Sequence, residues 1–272
     1  MAKFQFGFIG CGNMGGALVR AIAPDVGAEQ VLIADYLPCN TTTLQEALGV
    51  TVAQNAAEVA RNAKYIFLGV KPQMMASLIS EILPILKERK HGDFILVTMA
   101  AGLSVATIEY MCGYAIPVIR IMPNTPVSVG EGMILVTSNE FITDAEFAAF
   151  ENALSLAGKL DKIKEKYLDA ASVISGCGPA FMYMFMESLV DAGKKLGLDE
   201  AKARAYAEQT MRGAATLAAS SELSLEQLRV NVCSPGGSTI EGVKIFEERE
   251  LSDTVFEALK ASYIRTKELA RS

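Results

Sequence analysis

Histidine occurs once in the 272 residues, as His91, inside the charged segment Lys87-Glu-Arg-Lys-His-Gly-Asp93. That context predicts a surface turn, so no histidine is on offer as a general acid. Ketone reductases commonly use His or Lys for this task, because a ketone oxygen is a poor base before hydride arrives. An imine nitrogen can be protonated beforehand, so a hydroxyl or water suffices there. Paired cysteines are also missing. Cys11, Cys39, Cys112, Cys177 and Cys233 are odd in number and widely spaced, with no Cys-x-x-Cys or Cys/His ligand spacing. They read as reduced thiols of a cytoplasmic protein, most of them small apolar fillers, and no metal site is expected. A basic excess is lacking too. The net charge is −6 with scattered cations, which argues against nucleic acid or an anionic membrane as partner. The first residues lack the charged and apolar regions of a signal peptide. The longest uncharged run, residues 170–186, is broken by Gly176-Cys-Gly-Pro179, which makes it too short and interrupted for a membrane span. There are no repeats and no low-complexity tracts.

What is present starts at once. Residues 4–16 read Phe-Gln-Phe-Gly-Phe-Ile-Gly-Cys-Gly-Asn-Met-Gly-Gly, an apolar strand entering a Gly-x-Gly-x-x-Gly turn. Gly10 allows the tight turn, Gly12 lets backbone approach a pyrophosphate, and Gly15 lets the next helix pack close to the strand. The helix N-terminus adds free N–H groups and a partial positive charge. A second strand, residues 30–34, ends at Asp35, about 20 residues past Gly15, where this fingerprint places an acid for the adenosine ribose hydroxyls. Dinucleotide binding follows from the combination.

Strands then alternate with helices up to about residue 163, which implies a parallel, doubly wound sheet. Strands are expected at residues 3–9, 30–34, 50–53, 65–70, 94–98, 117–122, 133–137 and 159–163. A capping-box pattern, Thr43…Glu46, predicts a helix start, as does Asn55…Glu58. A helix over 74–87 is expected to kink or end early at Pro84. Another is capped at Thr143 and ended by Gly158. Beyond residue 163 strand signals vanish. Helical periodicity covers 167–175, 179–196, 199–220, 224–232, 238–248 and 252–270, with capping boxes at Ser224…Gln227 and Ser238…Glu241. The expected division is therefore a Rossmann-type α/β domain over 1–163 and an all-helical domain over 164–272. Residues 181–186, Phe-Met-Tyr-Met-Phe-Met, leave no polar face, so that helix must be covered. Either its own neighbours wrap it or, as the small domain favours, a second subunit does.

Ligands of an open α/β sheet sit beyond the carboxyl ends of its strands. Four loops fall there: the glycine turn, Gly69-Val-Lys-Pro72, Met99-Ala-Ala-Gly102 and Met122-Pro-Asn-Thr-Pro126. In the helical part the informative segment is Cys233-Ser-Pro-Gly-Gly-Ser-Thr-Ile-Glu241. It opens a helix whose free N–H groups suit a carboxylate, with the Thr239 hydroxyl beside them.

These motifs together resemble the pyrroline-5-carboxylate reductase family over essentially the whole chain. The matching pieces are Phe8-Ile-Gly-Cys-Gly-Asn-Met14, Val70-Lys-Pro72, Ala100-Ala-Gly102, Arg120-Ile-Met-Pro-Asn-Thr-Pro126, Gly176-Cys-Gly-Pro-Ala-Phe181 and Ser234-Pro-Gly-Gly-Ser-Thr239. The resemblance implies reduction of a cyclic imine carboxylate, 1-pyrroline-5-carboxylate, to L-proline with NAD(P)H. It also implies helical domains that interlock into a homodimer, often five dimers in a decamer. By position it makes Ile9, Gly10, Cys11, Gly12, Asn13 and Met14 cofactor contacts. Asn55, Gly69, Val70, Lys71 and Pro72 join them, as do Met99, Ala100 and Ala101, and Asn231 near the nicotinamide. Gly237, Ser238 and Thr239 become the substrate site, with the Thr239 hydroxyl toward the ring nitrogen, and Glu222 an acidic position near substrate. Cys177 and Phe181 stand where the family often has Ser and Tyr. Asp35 departs from the neutral or basic residue that many relatives keep. It should accept from both ribose hydroxyls and repel a 2′-phosphate, and no Lys or Arg occurs over 34–60 to compensate, so NADH is favoured.

Two other readings compete. A hydroxyacid dehydrogenase would carry a helix lysine a few residues past a Gly-rich turn. The matching place after Gly176-Cys-Gly178 is Met182, and the next lysine is Lys194. A non-catalytic dinucleotide sensor would be expected to have a degraded Pro-Gly-Gly-Ser-Thr segment, and here it is intact.

Overall fold

The structure, a computed structural model, describes residues 2–90 and 92–269. His91 and the end of the last expected helix, Ala270, lie outside the described residues. The chain forms two compact units, Met1–Cys177 with Ser262–Ser272, and Gly178–Ala261.

The first unit is built on an eight-stranded sheet of order β3-β2-β1-β4-β5-β6-β7-β8. Its strands are β1 (Phe4–Ile9), β2 (Val31–Ala34), β3 (Thr51–Val52), β4 (Ala63–Leu68), β5 (Ile95–Thr98), β6 (Val118–Met122), β7 (Gly132–Ser138) and β8 (Gly158–Lys162). All neighbours run parallel except β6 and β7. The expected all-parallel sheet is corrected at that point. Only a 3-10 turn, Thr125–Val129, separates β6 from β7, too short a connection for a crossover helix. The helices are α1 (Asn13–Val26), α2 (Pro38–Leu48), α3 (Ala56–Asn62), α4 (Pro72–Glu88), α5 (Val105–Cys112), α6 (Asp144–Ala153) and α7 (Glu165–Ser175).

Alternating strand residues feed two cores. Phe6, Phe8, Tyr65, Phe67 and Val97 pack with α1 and α6 on one face, while Ile66, Leu68 and Leu96 pack with α3, α4 and α5 on the other. A stack of rings, Phe8 on Phe67 at 4.3 Å and Phe67 on Phe150 at 5.9 Å, anchors the first face. Tyr65 Oη donates to the Glu146 carbonyl at 2.7 Å, satisfying the polar end of a buried ring. This rigid sheet holds the carboxyl-end loops in place.

Several local expectations are corrected. The Thr43…Glu46 pattern lies inside α2, which starts at Pro38, and the Thr43 hydroxyl donates back to the Cys39 carbonyl at 2.9 Å. A proline at the first helical position outcompetes the later box, since its missing N–H costs nothing there. Helix α4 continues through Pro84 to Glu88, because packing of Ile82 and Leu86 in the core outweighs one lost hydrogen bond. Helix α6 stops at Ala153, and a 3-10 turn intervenes before Gly158, which starts β8 instead. Only Cys11 and Cys112 are buried fillers. Cys39 is exposed, and Cys177 and Cys233 are half-buried.

The second unit is helical: α8 (Gly178–Lys195), α9 (Glu200–Ser220), α10 (Leu225–Asn231), α11 (Ser238–Glu248) and the start of α12 (Leu251–Leu269). Helices α8 and α9 form an antiparallel pair whose seam uses small residues, Gly193 against Ala203 and Ala207. Its own helices leave most of its apolar side chains uncovered. Met182, Tyr183, Met184, Tyr206, Leu217 and Phe256 are all exposed. The reading in which neighbouring helices wrap α8 is thereby corrected, because Met182, Tyr183 and Met184 stay exposed with those helices in place. By length and composition alone, the stretch Glu165–Lys195 is long and apolar enough to cross a membrane, and a turn at Gly176 and Cys177 divides it into α7 and α8.

Candidate active site

The glycine turn is bonded on both sides. Gly10 N–H donates to the Ala34 carbonyl at 2.8 Å and Gly69 N–H to the Ile9 carbonyl at 2.7 Å. Gly10 has φ +97°, and a Cβ there would collide with the Gly69 carbonyl. Gly12 differs. It caps α1 with ordinary extended backbone, and a Cβ there would meet no protein atom within 4 Å. Nothing inside the protein requires glycine at that position. A Cβ would instead fill the space in front of the N–H groups that open α1, where a pyrophosphate fits. The residues present therefore suit a dinucleotide.

Asp35, just past β2, is bonded to backbone on two sides. Its Oδ2 accepts the Cys11 N–H at 2.5 Å and its Oδ1 accepts the Leu37 N–H at 2.7 Å. The carboxylate thus clamps the glycine turn to the β2–α2 turn, a role the sequence reading missed. Burial, with Asp35 adding to it, pushes the Cys11 thiol up to about 12, so it stays protonated beside the phosphate position. Asn55 is the N-cap of α3. Its Oδ1 accepts Glu58 N–H at 2.9 Å, which commits that oxygen to the helix. Lys71 is the exposed residue that precedes Pro72 at the start of α4. Val70 is half-buried, Ala100 is buried after β5, and Met99 and Ala101 are half-buried on either side of it. Ile9, Asn13 and Met14 complete the turn.

A cleft of about 260 Å3 beside the turn is lined by Gly12, Asn13, Arg20, Asn40, Thr43 and Ser128, among others. Arg20 lies outside residues 34–60, the stretch that carries no Lys or Arg. It lies seven residues past Asn13, close to two helical turns, and so on the same face of α1. That spacing could have found it.

Two further polar side chains organise the β6 end of the sheet. Arg120 is buried, with Nη1 donating to Glu165 Oε1 at 3.1 Å and Nη2 to Asp169 Oδ1 at 2.9 Å. Lys267, near the end of α12, donates to Asp169 Oδ2 at 2.8 Å. Asn124 is also buried. Its Nδ2 donates to the Ser175 carbonyl and its Oδ1 accepts Met133 N–H, both at 2.9 Å. It thereby fixes the loop after β6 to β7 and to the end of α7. The signal for Arg120 was an arginine inside the apolar strand Val118-Ile-Arg-Ile-Met122, since a buried guanidinium requires partners.

In the second unit, the turn over residues 232–237 joins the end of α10 to the start of α11. It links Asn231, the last residue of α10, to Gly237, Ser238 and Thr239 at the start of α11. Gly237 is the N-cap, and Ser238 and Thr239 are the first two helical residues, both exposed. The expected Ser238…Glu241 capping box is corrected. Ser238 lies inside the helix, so its hydroxyl makes no cap, and the N–H groups of the first turn have no side-chain acceptor from the N-cap. Ser224 does cap α10 by accepting Gln227 N–H at 3.1 Å, but the Gln227 side chain turns to Asn231 Oδ1 at 2.9 Å. Glu222 precedes α10, at the opposite end of that helix from the Pro-Gly-Gly turn. Seven residues of helix, roughly 10 Å, separate the two ends.

A parallel-sheet glycine turn with an acid after β2, joined to an all-helical unit, defines a nicotinamide-dinucleotide-dependent oxidoreductase. Residues 165–269 match the family described as pyrroline-5-carboxylate reductase dimerisation. Residues 5–102 match the NADP oxidoreductases described as coenzyme F420-dependent. The chain is 33% identical over 270 residues to a pyrroline-5-carboxylate reductase of Escherichia coli strain K12, covering 98% of this chain and 99% of that protein. It is 34% identical over 272 residues to one of Pseudomonas aeruginosa, covering 99% of this chain and 98% of the other. A Plasmodium falciparum pyrroline carboxylate reductase, solved with NADP bound, superposes with a TM-score of 0.89 at 32% identity, covering 99% of each chain. The chain belongs to the pyrroline-5-carboxylate reductase family.

Proposed function

We propose that the chain reduces 1-pyrroline-5-carboxylate to L-proline with NAD(P)H, the last step of proline biosynthesis. Full-length similarity to the family carries this reading, together with an intact Pro-Gly-Gly-Ser-Thr turn that presents uncapped helix N–H groups beside a threonine hydroxyl. The reduced nicotinamide, when bound, supplies the hydride taken up at the imine carbon. The protein's own residues do the rest. N–H groups of Ser238 and Thr239 hold the substrate carboxylate, and Gly237, whose own N–H goes to the Ser234 carbonyl, lines the same turn. The Thr239 hydroxyl hydrogen-bonds the ring nitrogen as its charge changes. It positions and polarises, being too weak an acid to protonate an imine outright. Glu222 serves the substrate as an acidic neighbour, and Asn231 lies toward the nicotinamide.

On the cofactor side, Gly12, Asn13 and Met14 present N–H groups to the pyrophosphate, while Gly10 and Cys11, whose own N–H groups go to Ala34 and Asp35, shape the turn, with Arg20 as a nearby cation serving the charge that both cofactors share. Ile9, Asn55, Gly69, Val70, Lys71, Pro72, Met99, Ala100 and Ala101 line the remaining length. Asp35 favours NADH, because a 2′-phosphate would lie against its carboxylate. The functional division is 1–163 for cofactor and 164–272 for substrate and dimerisation. The protein works in the cytoplasm as a homodimer, with a decamer of five dimers as the larger assembly. The exposed apolar faces of α8, α9 and α12 support a second copy, not a membrane, as their cover.

The test is loss of nicotinamide absorbance with purified protein and pyrroline-5-carboxylate, beside a 2-keto acid control. Turnover of the imine alone is expected. Turnover of the keto acid alone would overturn the reading.

A further inference from the structure

The chain sets an aromatic ring where the fold has no use for one. Tyr36 follows Asp35 directly and is 91% exposed. The ring is not on a loose loop. The backbone on either side of it is held through Asp35, which accepts N–H groups from Cys11 in the glycine turn and from Leu37. Leu37 beside it is half exposed as well. Large apolar side chains occur singly on surfaces without meaning, but this one is presented at the carboxyl edge of the sheet by a two-bonded clamp.

Covalent chemistry decides what would lie against it. This step rests on the dinucleotide reading above, in which the Asp35 carboxylate accepts from the adenosine ribose hydroxyls. The ribose carbon bearing the 2′-hydroxyl is bonded directly to the carbon bearing the base. A ribose held at Asp35 therefore delivers its adenine within one residue of that carboxylate. Strands β2 and β4 both pair with β1, so their carboxyl ends stand two strand spacings apart, about 9–10 Å. The β4 side of that gap carries Val70 and, early in α4, Met74, which is 50% exposed. A flat base held beside Tyr36 would have these apolar side chains on the β4 side of the same edge.

We propose that Tyr36 is a specificity-determining residue that stacks on the adenine, so that this chain recognises the base by its face and not by hydrogen bonds to its edge. A stacking platform is tolerant of the substituents on the base, whereas edge readout is not.

The experiment is titration calorimetry of the full-length protein with NADH, ADP-ribose, reduced nicotinamide mononucleotide and the hypoxanthine analogue of NADH. Proteins are wild type, Tyr36→Phe and Tyr36→Ser, each checked by thermal melting for intact folding. Tyr36→Ser should weaken NADH and ADP-ribose alike by roughly tenfold, the scale of one lost base stack. It should leave the mononucleotide, which has no adenine, unmoved. Tyr36→Phe should bind within about twofold of wild type, and wild type should bind the hypoxanthine analogue within about twofold of NADH, as face recognition requires. The proposal is overturned if Tyr36→Ser binds ADP-ribose like wild type, if Phe fails to substitute, or if the hypoxanthine analogue binds tenfold more weakly. A wild type that binds no ADP-ribose overturns the dinucleotide site and Tyr36 with it. A wild type that binds ADP-ribose but reduces no cyclic imine overturns the proposed reaction alone, and the Tyr36 comparison still decides on binding.

Discussion

The Asp35 carboxylate accepts the backbone N–H of Cys11 across 24 positions of sequence, at 2.5 Å. One acid thereby ties the end of β2 to the glycine turn, and it is the residue to which the proposed reading gives the adenosine ribose. Cofactor choice and local architecture are coupled in a single side chain, and substitutions there must be read for both.

NADH is expected to be the better reductant by kcat/KM. A 2′-phosphate against a partly desolvated carboxylate costs about 1–3 kcal/mol. Asp35→Ser should move the NADPH/NADH ratio of kcat/KM upward by roughly tenfold or more. It should also lower the melting temperature, because two N–H groups lose their acceptor. Asp35→Asn keeps an acceptor oxygen and should shift the ratio with less loss of stability. Arg20→Ala should weaken both cofactors by the same factor. A wild-type preference for NADPH would remove Asp35 from its assigned role.

Assembly should be visible at micromolar protein. Met184 is exposed on α8 in the single chain, in a unit whose apolar side chains its own helices leave open. Sedimentation should give a dimer or a multiple of it. Met184→Asp should dissociate or unfold that dimer, because an unpaired charge in an apolar interface is costly. A wild-type monomer would contradict this.

The chemistry predicts a split between neighbouring readouts. Thr239→Ala should lower kcat by roughly ten- to a thousandfold, the scale of one lost transition-state contact. Thr239→Ser should keep much of the rate, and NADH affinity should barely change in either. His91→Ala should be silent. A fully active Thr239→Ala beside a dead His91→Ala would require a conventional acid in place of the imine-specific route.

The charge cluster predicts an acid limb of stability. Burial alone would raise the Asp169 carboxyl, but hydrogen bonds from Lys267 and Arg120 outweigh it and hold it below the ordinary carboxylate range. A depressed carboxylate contributes stability that is present above its unfolded pKa and is lost as pH falls through its folded one. Denaturant melts should therefore weaken as pH drops below about 4. Asp169→Asn should flatten part of that slope and cost roughly 3 kcal/mol near neutrality, since buried Arg120 loses one of its two carboxylates. An unchanged acid limb in Asp169→Asn would show that other carboxylates set it.

Much of this protein was legible in one dimension, because the physics involved is local. A period of two in Phe6, Phe8, Tyr65 and Phe67, and glycines at turns, specify a strand-turn-helix unit from neighbours in sequence. Where two local signals compete, the reading fails. The Thr43 box lost to Pro38, and Pro84 was overridden by the buried Ile82 and Leu86 of its own helix. Relationships between distant segments were decided only by tertiary structure. The antiparallel β6–β7 pair, the Asp35 clamp on Cys11, the Arg120–Asp169–Lys267 cluster and the Arg20 cleft each join residues whose patterns carry no mark of one another. Sequence determined which residues must be buried and which turns can hold a phosphate, since burial and backbone freedom are properties of single residues and their near neighbours. Packing determined which charges meet, since hydrogen-bond partners are chosen only when the elements carrying them are brought within about 3 Å.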